Sequence, residues 1–449
     1  MSLIALIFCT GFVIYLLHLD RKQAPEVSRA LWIPTLWMLY ASSRSLNAWF
    51  AAVDATAESG SPVDQIFLIG LMILALLTLI RRGLSWSDVI VENPWMLLLL
   101  FYMFISTFWS DILFISFRRW IKELTAVVIA FFILTEPNPR QAVQTILRRT
   151  VYVLIPFSLL LIRYFPYYGR HYGRWSGGEM WIGVCLQKNG LSEVCATATL
   201  FLIWTLVRRR QKKDIPVTRH HTAVEVLLLI MTLFLVKGPP NSYSATSITV
   251  LSLGLIMFFA FLWMKKQQVY PGAKILMTIV VLGIVLGTAM PLTGGFDSVG
   301  ALASLMGRNV TLTGRTEIWA GLLPSAMEHF FLGHGFGGYW TSITEKALGE
   351  KSAHNGYLEV LLEIGMFGLV ITTMYLLSCC LKFHKMLSDN FDWAVFSICY
   401  LIMAVFHNIA ESSFASFTRH IMVVLLFLKF SSATAGSQTP SMAQEELHR

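Results

Sequence analysis

Four polar groups in the last third of the sequence stand out by residue type and spacing. Arg315 lies in Leu312-Thr313-Gly314-Arg315-Thr316-Glu317-Ile318-Trp319. At a helix start its guanidinium would sit beside free backbone N–H groups, and together these make an anion site suited to a phosphate or diphosphate. The competing reading is an arginine that snorkels to a membrane surface. His354 lies in Ser352-Ala353-His354-Asn355-Gly356-Tyr357, just before an apolar run. A histidine at a membrane surface can be neutral near pH 7 and accept a proton. It can equally open a helix with its ring bonded to backbone. Asn355 either orients a substrate hydroxyl or caps that helix. Glu359 and Glu363 are one turn apart and share a face. Ionisable groups inside an apolar span are expensive and face the protein interior or a wet cavity. The pair orients His354 or contacts a sugar; alternatively, it forms an ion pair with Arg315 or another nearby base.

Two further segments carry polar groups. The stretch 163–189 holds Arg163, Arg170, His171, Arg174 and Lys188 among Tyr164, Tyr167, Tyr168, Tyr172, Trp175 and Trp181. Aromatic rings stack on sugar faces and bases bind anions, but aromatics also form ordinary interfacial belts. Lys188-Asn189-Gly190 enters the next apolar run, and His407-Asn408 with Glu411-Ser412-Ser413 ends a later one. Arg174, Lys188 and Glu411 are therefore substrate-binding candidates. The sequence has no paired zinc spacing, no GxxxxGK phosphate loop and no GxSxG elbow, so nothing in it points to a metal, ATP or other cofactor. The cysteines, Cys9, Cys185, Cys195, Cys379, Cys380 and Cys399, mostly lie inside apolar runs and read as small hydrophobes.

These residues need a scaffold, and composition says which. Of 449 residues 55% are apolar and 14% charged, against roughly 25% charged in a soluble domain. Mean hydropathy is +0.62. Apolar runs of about 15–20 residues recur along most of the chain, which excludes soluble, disordered, collagen-like and coiled-coil classes. The fold class is all-α and polytopic, with eleven to thirteen membrane helices near 3–18, 30–43, 64–80, 95–109, 121–135, 147–165, 190–207, 221–237, 246–264, 273–290, 356–380, 392–409 and 414–430. The first is read as a retained helix, since no basic residue precedes it and no cleavage site follows. The net charge of +9 is concentrated between spans, as at Arg208, Arg209, Arg210, Lys212 and Lys213. That is a cytoplasmic anchor, and nucleic acid is excluded as a partner. The basic residues put the carboxy terminus inside and the segments 166–189, 237–245, 291–355 and 410–418 outside.

Four regions result: helices with short loops over 1–290, a periplasmic loop domain over 291–355, carboxy-terminal membrane helices over 356–430, and a disordered tail from 431. Within the loop domain, Ile318, Trp319, Leu322, Leu323 and Met327 recur at helical spacing over 313–330. Thr313 is placed to cap that helix and Pro324 to kink or divide it. A glycine-rich turn, Gly333 to Gly338, follows, and a second helix begins near Ala353.

Thr313-Gly314-Arg315 to Trp319, Gly333-His334-Gly335-Phe336-Gly337, and His354-Asn355 with Leu358, Glu363 and Gly365 together resemble the O-antigen ligase/polymerase superfamily. Gly173-Arg174-Trp175-Ser176-Gly177 and Gln187-Lys188-Asn189-Gly190-Leu191 resemble its exopolysaccharide-polymerase branch, and Asn408 to Ser412 resembles its final N-x-x-E-S element. The resemblance implies an inner-membrane glycosyltransferase acting on the periplasmic face. It implies a glycan donor on undecaprenyl diphosphate, no metal, a possible chain-length regulator as partner, and inversion at the anomeric centre. It further implies that Arg315 binds the diphosphate and His354 activates the acceptor hydroxyl. A polymerase of repeat units is the first reading, a ligase to a lipid A core the second, and a polysaccharide transporter or flippase the reading of another class. One stretch departs from the family: many members carry Ser-Arg or Ser-Lys where this chain reads Val236-Lys237-Gly238-Pro239-Pro240-Asn241-Ser242-Tyr243-Ser244. Lys237 is the candidate replacement, although an ammonium cannot reproduce a bidentate clamp.

Overall fold

The computed structural model of the chain describes residues 1–50, 60–172, 177–211, 219–240, 243–293 and 315–433. Those residues are helical apart from loops and one antiparallel hairpin, in which Arg170 lies opposite Trp181 and Tyr172 opposite Glu179. Every apolar segment marked out in the sequence contains a helix, and short polar side chains open them. Ser61 accepts from the Asp64 N–H at 3.3 Å ahead of Pro62–Arg82. Asn138 accepts from the Gln141 N–H at 3.1 Å ahead of Pro139–Tyr164. In both, proline holds the first helical position, where its missing N–H costs nothing.

Among the described residues, eight helices are long and apolar enough to cross a membrane, or nine if the broken pair Trp86–Glu92 and Pro94–Trp109, bent by 92°, is one span. The expected eleven to thirteen full spans are not reached, for physical reasons. Trp32–Ala41 has 10 residues, about 15 Å of helix and half a hydrocarbon core. Leu113–Leu134 is long enough but carries Arg118, Arg119, Lys122 and Glu123 in its first half. Phe391–His407 and His420–Ala433 have 17 and 14 residues. These two short helices are the centre of the bundle, with Phe396, Ala404, Met422 and Leu426 all fully buried. The peripheral helices Ser2–Gln23, Pro62–Arg82 and Ala245–Lys266 instead turn Phe8, Ile66 and Trp263 outward, as a lipid-facing surface does.

The two ends of the bundle carry separate polar networks. At one, Asp20 pairs with Arg148 and Arg149 at 2.7 Å each, Glu136 with Arg82 at 2.6 Å, and Glu225 with Arg209 at 2.6 Å. At the other, Arg44 donates to the carbonyls of Tyr168, Gly183 and Cys185 at 2.6, 2.7 and 2.8 Å and ties two loops together.

A helical cap covers the second end. Within the described residues its first helix is Arg315–Glu328, which ends two residues before the expected 330, and Pro324 passes within it without dividing it. Thr313, the expected cap residue, lies outside the described residues. Trp319, Leu322 and Ala326 form its buried face, packed with Met290, Tyr339, Trp340 and Leu362. The helix expected near Ala353 starts at Gly356 and runs to Asp389. It is broken at Gly365, whose φ of 67° and ψ of −169° no other residue adopts readily. The cap docks at this break: Met366 N–H donates to Phe330 O at 2.8 Å, Phe367 N–H to Phe331 O at 3.3 Å, and His334 N–H to Leu362 O at 2.9 Å. The final helix runs through Ser431 to Ala433, where the sequence suggested a tail.

Candidate active site

The site is assembled from four remote segments, and two asparagines set its geometry. Asn408 ends a central helix, and its Oδ1 accepts from the N–H groups of Ser413 and Phe414 at 2.8 and 3.0 Å. This folds the loop 408–419 back across the bundle. Asn355 Oδ1 caps Gly356–Asp389 by accepting from Tyr357 and Leu358 N–H at 3.0 and 2.9 Å. Its Nδ2 donates to Gly287 O and Ile409 O, and its backbone N–H to Ser412 Oγ. Asn355 is fully buried with its amide committed to protein partners, so the structure uses it as a cap and a brace rather than as a group facing substrate. The two asparagines meet at Gly356, where an added Cβ would lie 2.0 Å from Asn408 Oδ1. His354 is consequently held at a φ of 48°, a left-handed conformation uncommon outside glycine.

Glu411 is the hub of this arrangement. Its Oε1 accepts from Arg315 Nη2 at 2.5 Å and from Asn189 Nδ2 at 2.5 Å. Its Oε2 lies 3.5 Å from His354 Nδ1. His354 Nε2 lies 3.6 Å from Glu350 Oε2. Burial alone would lower the His354 pKa, but the hydrogen bond and charge of Glu411 outweigh it and hold the imidazole above its ordinary value. Burial would raise Glu411; His354 and Arg315 outweigh that and hold its carboxyl below the usual range. With Nδ1–H on the Glu411 carboxylate, the lone pair falls on Nε2, on the side of Glu350, which is the tautomer a proton acceptor needs.

Glu359 and Glu363 do different work from that expected. Glu359 accepts from Trp340 Nε1 at 2.5 Å and from Ala353 N–H at 2.6 Å. Glu363 accepts from the Gly337 N–H. Both therefore bind the cap to the long helix, and no ion pair joins them to Arg315. They also line a polar cavity of about 430 Å³ with Arg119, Lys122, Arg419 and Ser412. Arg119 reaches the cap itself, donating to the carbonyls of Gly337 and Trp340. Glu123 holds the far wall by accepting from Ser416 Oγ at 2.8 Å and Thr418 N–H at 3.0 Å. The sequence reading missed Arg119, Lys122 and Arg419. The signal was there for the first two, since charged residues entering an apolar run are functional candidates by default.

Of the remaining candidates, Lys188 is the first residue of Lys188–Gln211, next to the Asn189 that reaches Glu411. Arg174 lies outside the described residues. Lys237 is exposed at the end of Arg219–Lys237, and among the described residues no hydrogen bond or ion pair joins it to the cluster. Among the described residues no group of three or more His, Cys, Asp or Glu side chains is arranged around a common metal position.

Residues 227–373 match the family model described as O-Antigen ligase. That stretch contains Arg315, His354, Glu359 and Glu363, while Asn189 and Glu411 lie outside it. The chain is also 24% identical to the exopolysaccharide production protein ExoQ of Rhizobium meliloti (strain 1021) over 310 residues, covering 66% of this chain and 67% of that protein. Its apolar helices make this chain a multi-pass membrane protein, and over residues 227–373 it is similar to the O-antigen ligase family.

Proposed function

We propose that the chain is a glycosyltransferase of the bacterial inner membrane that polymerises undecaprenyl-diphosphate-linked oligosaccharide units on the periplasmic face. The observation that carries this is the convergence of an arginine, a histidine and an asparagine from three remote segments on the buried Glu411 carboxylate. Such a group costs stability and is retained for chemistry or specificity.

The reaction needs a proton acceptor and an anion clamp. The acceptor sugar hydroxyl gives its proton to His354 Nε2 as its oxygen attacks the anomeric carbon. The bond from that carbon to the diphosphate oxygen breaks, and undecaprenyl diphosphate leaves with the electron pair. Arg315 neutralises the charge that develops on it, and Arg119 and Arg419, which line the cavity beside Ser412, add positive charge. Attack opposite the leaving group inverts the anomeric centre. Glu411 holds the imidazole tautomer and the guanidinium in register. The donor lipid, the periplasmic orientation and a chain-length regulator as partner belong to the same reading.

The family description favours a second reading, transfer of the finished glycan to a lipid acceptor. One reconstitution tests both. Purified protein in liposomes receives lipid-linked single units, with and without a lipid A core acceptor. A ladder of lengthening chains without the core supports the polymerase, and product only with the core supports the ligase. Turnover of neither kind, by protein that binds the donor, overturns the glycosyltransferase reading.

A further inference from the structure

The end of the bundle away from His354 holds a second polar cavity, of about 500 Å³. Two helices fix its place. Gly356–Asp389 begins beside His354 and ends at Asn390, which lines this cavity. Lys188–Gln211 begins with the Asn189 that touches Glu411 and ends with Arg208 and Arg209 in the cavity wall. No lining residue is shared with the candidate active site.

The wall carries Lys22, Arg140, Arg148, Arg208 and Arg209, and no carboxylate among the described residues. Positive charge at helix ends is ordinary in a membrane protein. This cluster differs because it lines one cavity and its unpartnered polar atoms are all donors. Among the described residues, the buried polar atoms without a partner here are Gln23 Nε2, Arg140 Nη2, Arg208 Nε, Arg209 Nη1 and Trp393 Nε1. All five are donors, and no lining residue leaves a buried acceptor unpartnered. The acidic groups nearby lie behind or beside the wall, and among the described residues one of them, Glu225, keeps a buried acceptor, Oε2, without a partner. Asp20 holds Arg148 and Arg149, and Glu225 holds Arg209. Asp389 and Asp392 offset part of the charge of Arg140 and Arg208.

Buried donors without partners are costly, and a surplus of donors with a cationic wall selects a ligand made of acceptors. Phosphate is such a group, and guanidinium forks match its geometry. We propose that this cavity binds the phosphate of an anionic ligand at the membrane face opposite the candidate active site. A phospholipid headgroup and a soluble phosphate ester share this chemistry.

The test uses the full chain in neutral detergent, followed by thermal melting and native mass spectrometry. Phosphatidylglycerol, phosphatidylcholine and sodium phosphate are titrated separately at matched ionic strength. Phosphatidylglycerol or phosphate should raise the Tm where phosphatidylcholine does not. A response to phosphatidylglycerol alone identifies a lipid source, and a response to phosphate a soluble one. Arg140→Gln and Arg208→Gln should each weaken binding about tenfold, the loss of one charge-assisted hydrogen bond. Lys22→Gln serves as a third variant should either fail to fold. An equal response to phosphatidylcholine, or variants that respond like the parent, overturns the proposal. Glycan transfer is not a readout, so the outcome is independent of the proposed function.

Discussion

Replacing Glu411 by Gln removes one negative charge where Arg315, Asn189 and His354 meet and leaves the side-chain shape nearly unchanged. The amide can accept on its oxygen side alone, so it cannot serve both Arg315 at 2.5 Å and His354 at 3.5 Å in the same way. A hydrogen bond to a charged group contributes about 1.5–3 kcal/mol. If Arg315 is positioned for the diphosphate through this contact, transfer should slow by about 10- to 150-fold. The pH profile is the sharper readout. Burial lowers the His354 pKa and Arg315 lowers it further; Glu411 is the group that raises it most, above the ordinary 6.5. A general base works when neutral, so parental activity should fall on acidification through a pKa above 6.5. In Glu411→Gln the raising contribution is lost, and the acidic limb should move to lower pH. Initial rates of chain extension in proteoliposomes between about pH 5.5 and 8.5 measure both effects. A limb that stays in place, or moves up while activity persists, would refute the coupling of Glu411 to His354.

Arg315→Ala should abolish transfer while the protein still inserts, and Arg315→Lys should restore little of it, because charge returns without the planar fork; full chain length in the Lys variant would reduce the residue to a surface anchor. His354→Gln should leave lipid-linked single units accumulating and long chains absent; parental ladders from this variant would transfer the base role elsewhere. Gly356→Ala should lower the Tm, since its Cβ would sit 2.0 Å from Asn408 Oδ1, at a cost of about 1–3 kcal/mol; an unchanged melt would mean the loop gives way. Single cysteines in a cysteine-free background should label from the periplasm at position 345 and only after permeabilisation at position 268, and the reverse pattern would invert the proposed orientation.

What the sequence could and could not say follows from range. The apolar periodicity of Phe391–His407 and His420–Ala433 is local, so both were legible as helices. Their shortness was not, because only the surrounding helices allow 17 and 14 residues to sit entirely inside the bundle. Arg315, His354 and Glu411 were each identifiable by type, yet Glu411 as their common partner spans 96 and 57 positions in the chain. The sequence instead offered Glu359 and Glu363 as partners, being nearer in the chain; both are spent on the cap. Arg119 and Arg419 face one cavity from opposite thirds of the molecule, and no periodicity links such a pair. Pro324 kept its helix whole because the missing N–H falls on a half-exposed surface helix already held by Trp319 and Leu322.

The break at Gly365 decides where this protein will accept foreign sequence. At that point the membrane helix has surrendered its own backbone bonds, and the turn 330–338 supplies replacements through Phe330 O, Phe331 O and His334 N–H. An added Cβ would lie 2.3 Å from Phe331 O. The turn is therefore spliced into the membrane helix, and a tag inserted there would unpick a transmembrane segment rather than lengthen a loop. The region around Ser342–Leu348 has no buried residue of its own and carries the strongly exposed Ile343 and the Lys351 ammonium. An epitope or fluorophore placed at 346–348 should be tolerated, giving a handle on the proposed outer face near His354 without touching the splice or Glu350.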